Sequence, residues 1–293
     1  DLRMSRGLGD VYKRQLIGNP VGHSISPVIH NSLARLMDMN MVYTTFKVEK
    51  GDVVTAVNGA YALNILGLNV TVPHKQAVME SLVDIDPLAK AIGAVNTLVR
   101  TDKGYKGYNT DILGLERELI DEGVVLLGSR CVILGAGGAA RAIAFLCAKS
   151  GAKEIYMLNR TKEKAYDIAK AVNDYFGKEC IKPMLISEYD KLEADDYVVI
   201  QTTSVGLYPN VDDVVIDDEA FYKKVKVGVD IIYNPSETRF MKMCKNAGKP
   251  ACNGLKMLLY QGVAAYELWN DVSVTKEQAD KVYNKMKEEL GIE

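Results

Sequence analysis

The stretch RCVILGAGGAARAIAFLCAKS, residues 130–150, decides the fold. Arg130–Leu134 is a short apolar run of the buried-strand kind; a cluster of glycines and alanines interrupts it, and a helical pattern then continues to Ser150. Within the interruption, Gly135, Gly137 and Ala140 fit G-x-G-x-x-[G/A]. Gly135 permits the tight turn, Gly137 lets a pyrophosphate approach the backbone, and small Ala140 lets helix and strand pack closely. Phosphates placed there meet the unpaired N–H groups at a helix N-terminus. Further along, Glu154–Leu158, Tyr197–Gln201 and Lys226–Ile232 are β runs separated by helical stretches. Such alternation predicts a doubly wound parallel sheet of Rossmann type, with helices on both faces.

The end of the second strand of that unit selects between dinucleotides. An acidic residue there would hold the free ribose hydroxyls of NAD, but Asn159, Arg160 and Thr161 stand in its place. A carboxylate repels a 2′-phosphate, whereas a guanidinium grips it bidentately and Thr161 can donate a hydroxyl. These residues favour NADP.

Upstream, Met41–Val48 and Ile65–Val72 read as strands, and Ser26–Met39 and Pro73–Val83 as helices. Ala94–Arg100 and Gly104–Tyr108 form a hairpin pattern around Asp102-Lys103-Gly104, and a helix over Asp111–Glu122 stops at Gly123. At the other end, Leu255–Asn270 and Thr275–Leu290 are two helical patterns with no strand after them. They fit either a cap on the second unit or a return to the first.

Composition narrows the partners. A formal net charge of -2 and a pI near 6.1 give no basic surplus for nucleic acid or an anionic membrane, which favours a small-molecule partner. Five cysteines without a CxxC pair argue against a disulfide framework or zinc site and fit a reducing cytoplasm; no metal is expected. The most apolar window, Cys131–Ala148, contains Arg141 and reads as strand, turn and helix, not as a membrane span. Residues 1–15 have no apolar core of a secretory signal. Their end, DVYKRQ (Asp10–Gln15), matches one reading frame of a common transposon-based sequencing adapter. Residues 1–15 are therefore set aside as an adapter-derived or disordered tail, leaving only Leu16-Ile17 of a first strand.

Three polar, glycine-bearing segments in the first half are hard to explain as packing. GNPVGHSISP (Gly18–Pro27) carries the hydroxyls of Ser24 and Ser26; NVTVPHK (Asn69–Lys75) leads into Pro73; GYNTD (Gly107–Asp111) leads into a helix. Taken singly, each has a plain structural reading: Ser26 as a helix cap, Asp111 as an N-cap, Lys75 as a solvated surface lysine. Together with the second half they resemble one family. GNPVGHSISPVIHN, NVTVPHK, AVNT (Ala94–Thr97), GYNTD, GAGGAAR, NRT, TTSVGL and NGLKMLLYQ stand in the order seen in shikimate dehydrogenases, from about Gly18 to Gln261.

The resemblance implies a reversible, NADPH-dependent reduction of 3-dehydroshikimate to shikimate, a step of aromatic amino-acid (chorismate) biosynthesis. It implies that Lys75 and Asp111 are a catalytic acid–base pair. Ser24, Ser26 and Thr71 would take the substrate carboxylate, Asn69 and Asn96 would help hold the pair and the ring hydroxyls, and Tyr233 and Gln261 would reach toward the substrate. Gly135, Ala136, Gly137, Gly138, Ala139, Arg141, Asn159, Arg160 and Thr161 would serve NADP, with Thr203, Val205 and Gly254 along its nicotinamide half. It also places the C-terminal helices on the first domain. The expected architecture is α/β with two domains. Residues 16–112 plus 254–293 form an α/β substrate-binding domain, and 113–253 form the Rossmann-type NADP domain, with the active site in the cleft between them and hinges near Leu113 and Asn253. The expected assembly is a cytoplasmic monomer or homodimer. Two rivals are weighed: an NAD-using quinate/shikimate dehydrogenase, which would carry an acid near Arg160 and change a serine of HSxS, and a catalytically silent regulatory homologue, which would lose the lysine–aspartate pair or the glycine loop. This chain keeps Ser24, Ser26 and Arg160, and both the lysine–aspartate pair and the glycine loop are intact.

Overall fold

Strand pairing begins at Tyr12. In the computed structural model, which describes residues 11–292, the chain forms two units. One takes in the described residues up to Gly114 together with those from Leu259 onward; the other is Leu115–Leu258.

The first unit contains, in chain order, β1 (Tyr12–Gly18), α1 (Ser26–Leu36), β2 (Met41–Lys47), α2 (Val53–Ala62), β3 (Gly67–Val70), β4 (Asp84–Ile85), α3 (Pro87–Ile92), β5 (Thr97–Thr101) and β6 (Gly104–Tyr108); α4 (Thr110–Asp121) then carries the chain into the second unit. The sheet order is β2-β1-β3-β5-β6-β4. β1 runs parallel to β2 and β3, whereas β5 is antiparallel to both β3 and β6. Ile17, Leu68, Val70 and Leu98 bury one face against α2 residues such as Val53 and Val57.

The last residues of the expected tail are part of a strand. Tyr12–Gln15 belong to β1 and pair with Met41–Thr44, and Arg14 and Gln15 are buried. These residues alternate into a sheet whose neighbours on both sides come from later in the chain, which no inspection of residues 1–15 alone reveals. Asp1–Asp10 lie outside the described residues. The helix expected over Pro73–Val83 is instead a bend followed by a 3-10 turn at Ala77–Ser81. The Lys75 carbonyl accepts the Val95 N–H at 2.8 Å, and the buried His74 ring meets the Val48 carbonyl at 2.8 Å. The first takes up a carbonyl that a continuous helix would offer to the Met79 N–H, and the second anchors the turn through a side chain.

The second unit runs β7 (Arg130–Leu134), α5 (Gly138–Lys149), β8 (Glu154–Asn159), α6 (Lys162–Phe176), β9 (Ile181–Leu185), β10 (Tyr197–Gln201), α7 (Glu219–Lys223), β11 (Val225–Asp230), α8 (Arg239–Asn246) and β12 (Ala251–Asn253). Its strands are all parallel, in the order β12-β11-β10-β7-β8-β9. Chain order reverses between β7 and β10, the topological switch point of a doubly wound sheet. The two edge strands were not read from sequence: β9 contains Pro183, tolerated at an edge, and β12 has three residues.

α9 (Leu255–Asn270) returns the chain to the first unit and α10 (Lys276–Leu290) follows it there. The Trp269 indole N–H donates to the Leu98 carbonyl at 2.8 Å, and a Cβ on Gly67 would fall 2.4 Å from that indole. The bare Gly67 backbone is what lets the helix lie against β3. Among the described residues, no helix is long and apolar enough to cross a membrane.

Candidate active site

Lys75 and Asp111, 36 residues apart, form an ion pair with Nζ 2.7 Å from Oδ2, and both side chains are partly open at 30% and 21%. The aspartate is oriented from its other oxygen, because Asn96 Nδ2 donates to Oδ1 at 2.8 Å. Asn96 has no freedom to reverse its amide. Its Oδ1 already accepts the Thr110 N–H at 2.7 Å and lies 3.1 Å from both the Thr97 and Thr110 hydroxyls. Asp111, in the first turn of α4, also donates its N–H to Asn109 Oδ1 at 3.1 Å. Behind this layer, Asn69 Nδ2 donates to the Asn96 carbonyl at 3.2 Å and to Thr97 Oγ1 at 3.1 Å, while Asn69 Oδ1 accepts the Tyr43 hydroxyl at 2.8 Å. The result is a preorganised cation–carboxylate pair, accessible on one side and braced on the other, able to hold and move a proton.

Four expected residues, Lys75, Asp111, Asn96 and Asn69, therefore meet in one network. Ser24 is half-buried and its Oγ accepts the Ser26 N–H at 3.2 Å, so Ser24 supports the start of α1 while Ser26 is buried. Thr71 packs on Gly18, where a Cβ would come within 2.3 Å of its methyl group. Gln261 is half-buried on α9, and its neighbour Gly262 packs on Ile29 of α1. Tyr233 lies in the second unit, its hydroxyl pushed to higher pKa by burial. Sequence reading missed Tyr43, Thr97, Asn109 and Thr110. The last three sit inside quoted motifs, where their neighbours drew the attention; Tyr43 is one more aromatic in a strand and carries no local signal.

In the second unit the expected cofactor residues line up on the carboxyl edge of the sheet. Gly135 has φ +111, and a Cβ there would fall 2.7 Å from Thr202 Oγ1 and 2.8 Å from the Thr203 methyl. Only glycine fits that position. Gly137 caps α5 with no side-chain hydrogen bond, and a Cβ on Gly137 or Gly138 would meet nothing within 4 Å. An uncapped helix N-terminus facing open space is what a pyrophosphate requires. Ala136 and Ala139 flank it, half-buried. Arg141, half-buried on α5, has its pKa lowered by desolvation. At the end of β8, Asn159 Nδ2 donates to the Thr161 carbonyl at 2.9 Å, and Arg160 and Thr161 are exposed beside it. No carboxylate occupies Asn159, Arg160 or Thr161, so this edge fits a 2′-phosphorylated ribose. Thr203 and Val205 follow β10. Gly254 follows β12, where a Cβ would fall 2.3 Å from the Ile231 carbonyl oxygen, giving this glycine a packing reason of its own.

Known proteins share both halves of this chain. Residues 16–98 match the shikimate dehydrogenase substrate binding domain and residues 119–239 the shikimate/quinate 5-dehydrogenase domain. The chain is 41% identical over 281 residues to the shikimate dehydrogenase (NADP(+)) of Moorella thermoacetica, covering 94% of this chain and 92% of that one. Among solved structures it is similar to a chorismate mutase/shikimate 5-dehydrogenase fusion protein from Clostridium acetobutylicum, with 35% identity, a TM-score of 0.87 and coverage of 96% and 99%. A shikimate dehydrogenase in complex with NADP+ shares 36% identity at a TM-score of 0.86, with coverage of 95% and 96%. Likeness at this level runs through most of the chain, with one domain match in each unit, so the chain belongs to the shikimate dehydrogenase family.

Proposed function

We propose that this chain is an NADP-dependent shikimate dehydrogenase that interconverts 3-dehydroshikimate and shikimate, with Lys75 and Asp111 as its acid–base pair. The observation that carries the reading is the Lys75–Asp111 ion pair, held in one orientation by Asn96 yet open on its outer side. When bound, NADPH supplies a hydride to the ketone carbon. The chain's own task is the ketone oxygen, on which negative charge grows and to which a proton must be delivered. The Lys75 ammonium donates to that oxygen and gives up a proton, and Asp111 keeps the ammonium aimed and balances its charge. In the reverse direction the same lysine takes the proton from the hydroxyl of shikimate.

Ser24, Ser26 and Thr71 take the substrate carboxylate, Asn69 and Asn96 hold the ring hydroxyls and the pair, and Gln261 and Tyr233 complete the substrate contacts. Gly135, Ala136, Gly137, Gly138 and Ala139 receive the pyrophosphate, Asn159, Arg160 and Thr161 the 2′-phosphate, and Thr203, Val205 and Gly254 the nicotinamide side. The first unit thus serves as the substrate domain and the second as the NADP domain. We place the enzyme in the cytoplasm, a reading supported by five cysteines without a CxxC pair, and expect a monomer or homodimer.

Initial rates followed at the nicotinamide absorbance, with shikimate or quinate crossed against NADP⁺ or NAD⁺, test this directly. Activity with shikimate and NADP⁺ well above the other three combinations is expected. Preference for quinate with NAD⁺ would identify the chain as the rival enzyme, and silence in all four from folded protein that binds NADP⁺ would identify a regulatory homologue.

A further inference from the structure

Asp230 ends β11 fully buried and without an ion pair among the described residues. Its carboxylate instead collects three donors from three segments: Gln201 Nε2 at 3.3 Å, the Ile232 N–H at 3.0 Å and the Thr238 hydroxyl at 2.6 Å. A buried carboxylate is costly unless its oxygens are satisfied, so these donors and acceptor lock one another in place. Gln201, 1% exposed at the end of β10, uses the rest of its amide on its own loop. Nε2 lies 3.2 Å from both the Thr203 and Val205 carbonyls, and Oε1 accepts the Thr203 N–H at 2.5 Å. The side chain therefore supplies the bonds that shape residues 203–205. Thr203 Oγ1 accepts the Val205 N–H at 3.1 Å, which leaves its O–H proton to point elsewhere.

This loop presses on the glycine turn. The Thr203 methyl lies 2.8 Å from where a Gly135 Cβ would be, and the Thr202 hydroxyl donates to the Leu134 carbonyl at 2.6 Å. β8 and β10 flank β7 on opposite sides. In a doubly wound sheet the adenosine ribose lies by the strand in the β8 position, so the β10 loop faces the other half of the dinucleotide.

We propose that Gln201 and Asp230 are positioning residues that hold Thr203–Val205 against Gly135 and thereby set the nicotinamide half of the bound cofactor. The inference rests on the NADP reading above. It is tested on the full chain by titrating NADPH and, separately, 2′-phospho-ADP-ribose, which lacks the nicotinamide, into the wild type, Gln201→Ala and Asp230→Asn. Both variants should bind NADPH about tenfold more weakly, the scale of one ordinary buried hydrogen bond. Binding of 2′-phospho-ADP-ribose should stay within about twofold of wild type, a difference too small to register as a lost hydrogen bond. Equal weakening of both ligands would mean a purely structural role, and unchanged NADPH affinity would mean no role; either overturns the inference. If Gln201→Ala does not fold, Gln201→Asn, which keeps the amide one methylene short of Asp230, carries the same comparison. A wild type that binds neither nucleotide would overturn the NADP reading itself, and is told apart because it precedes any variant.

Discussion

Lys75 reaches Asp111 because its own backbone is pinned: the Lys75 carbonyl holds the Val95 N–H, and Asn96, next in the chain, holds the aspartate. Lys75→Ala removes the proton donor while leaving those backbone bonds in place. Its kcat for shikimate oxidation should fall by about 10²–10⁴-fold, the usual contribution of a positioned acid or base, with little change in melting temperature. Near-wild-type turnover would remove Lys75 from the chemistry. A second residue tells of a misfit. Arg14 is 3% exposed, and burial pushes its pKa down to about 10. Among the described residues the guanidinium bonds to the Lys13 and Trp269 carbonyls and to Asn270 Oδ1, at 3.2–3.4 Å, and to no carboxylate. Arg14→Leu should therefore stabilise the chain by about 1–3 kcal/mol, since apolar replacement of a buried charge is often favourable. Chemical denaturation reads this, and a loss of stability would show that the arginine's bonds outweigh its desolvation.

At the scale of elements, α4 carries a buried titratable group into the second unit. Glu118 is fully buried, and desolvation, helped by Glu122 and Asp121, raises its pKa to about 8, while the Met257 N–H and Lys256 pull the other way. The unfolded chain ionises this group near 4.5, whereas the folded chain keeps the proton until about 8. The folded state therefore holds more protons than the unfolded state across that window, so this contribution to stability falls as pH rises from about 4.5 to about 8. Glu118→Gln should raise the melting temperature at pH 8.5, with the gap to wild type shrinking toward pH 5. Parallel melting curves across that range would show that Glu118 ionises normally. Elements also mark where periodicity misleads. Pro73–Val83 has helical spacing but is held by bonds to Val95 and Val48, and β9 is hidden by its proline.

At the scale of the molecule, the two ends of the chain are stitched together inside the first unit. β1 pairs on both sides with later strands, Arg14 bonds to Trp269 and Asn270 of α9, and Trp269 covers Gly67. A chain starting at Leu16 should melt roughly 10 °C or more below one starting at Val11, because it loses four strand residues whose backbones pair with β2. Equal melting temperatures would show that Tyr12–Gln15 add nothing to the stability of the sheet. The amino-acid sequence by itself determined the Rossmann-type unit, the glycine loop, the absence of an acid at Arg160 and the family, because each is written in short windows: strand periodicity, glycine spacing, the residue types of one turn. Tertiary structure alone decided that Tyr43 orients Asn69 across 26 residues and that Gln201 meets Asp230 across 29. Those partners lie on different strands and turns, and a hydrogen bond depends on where two backbones pass each other, which local pattern does not encode.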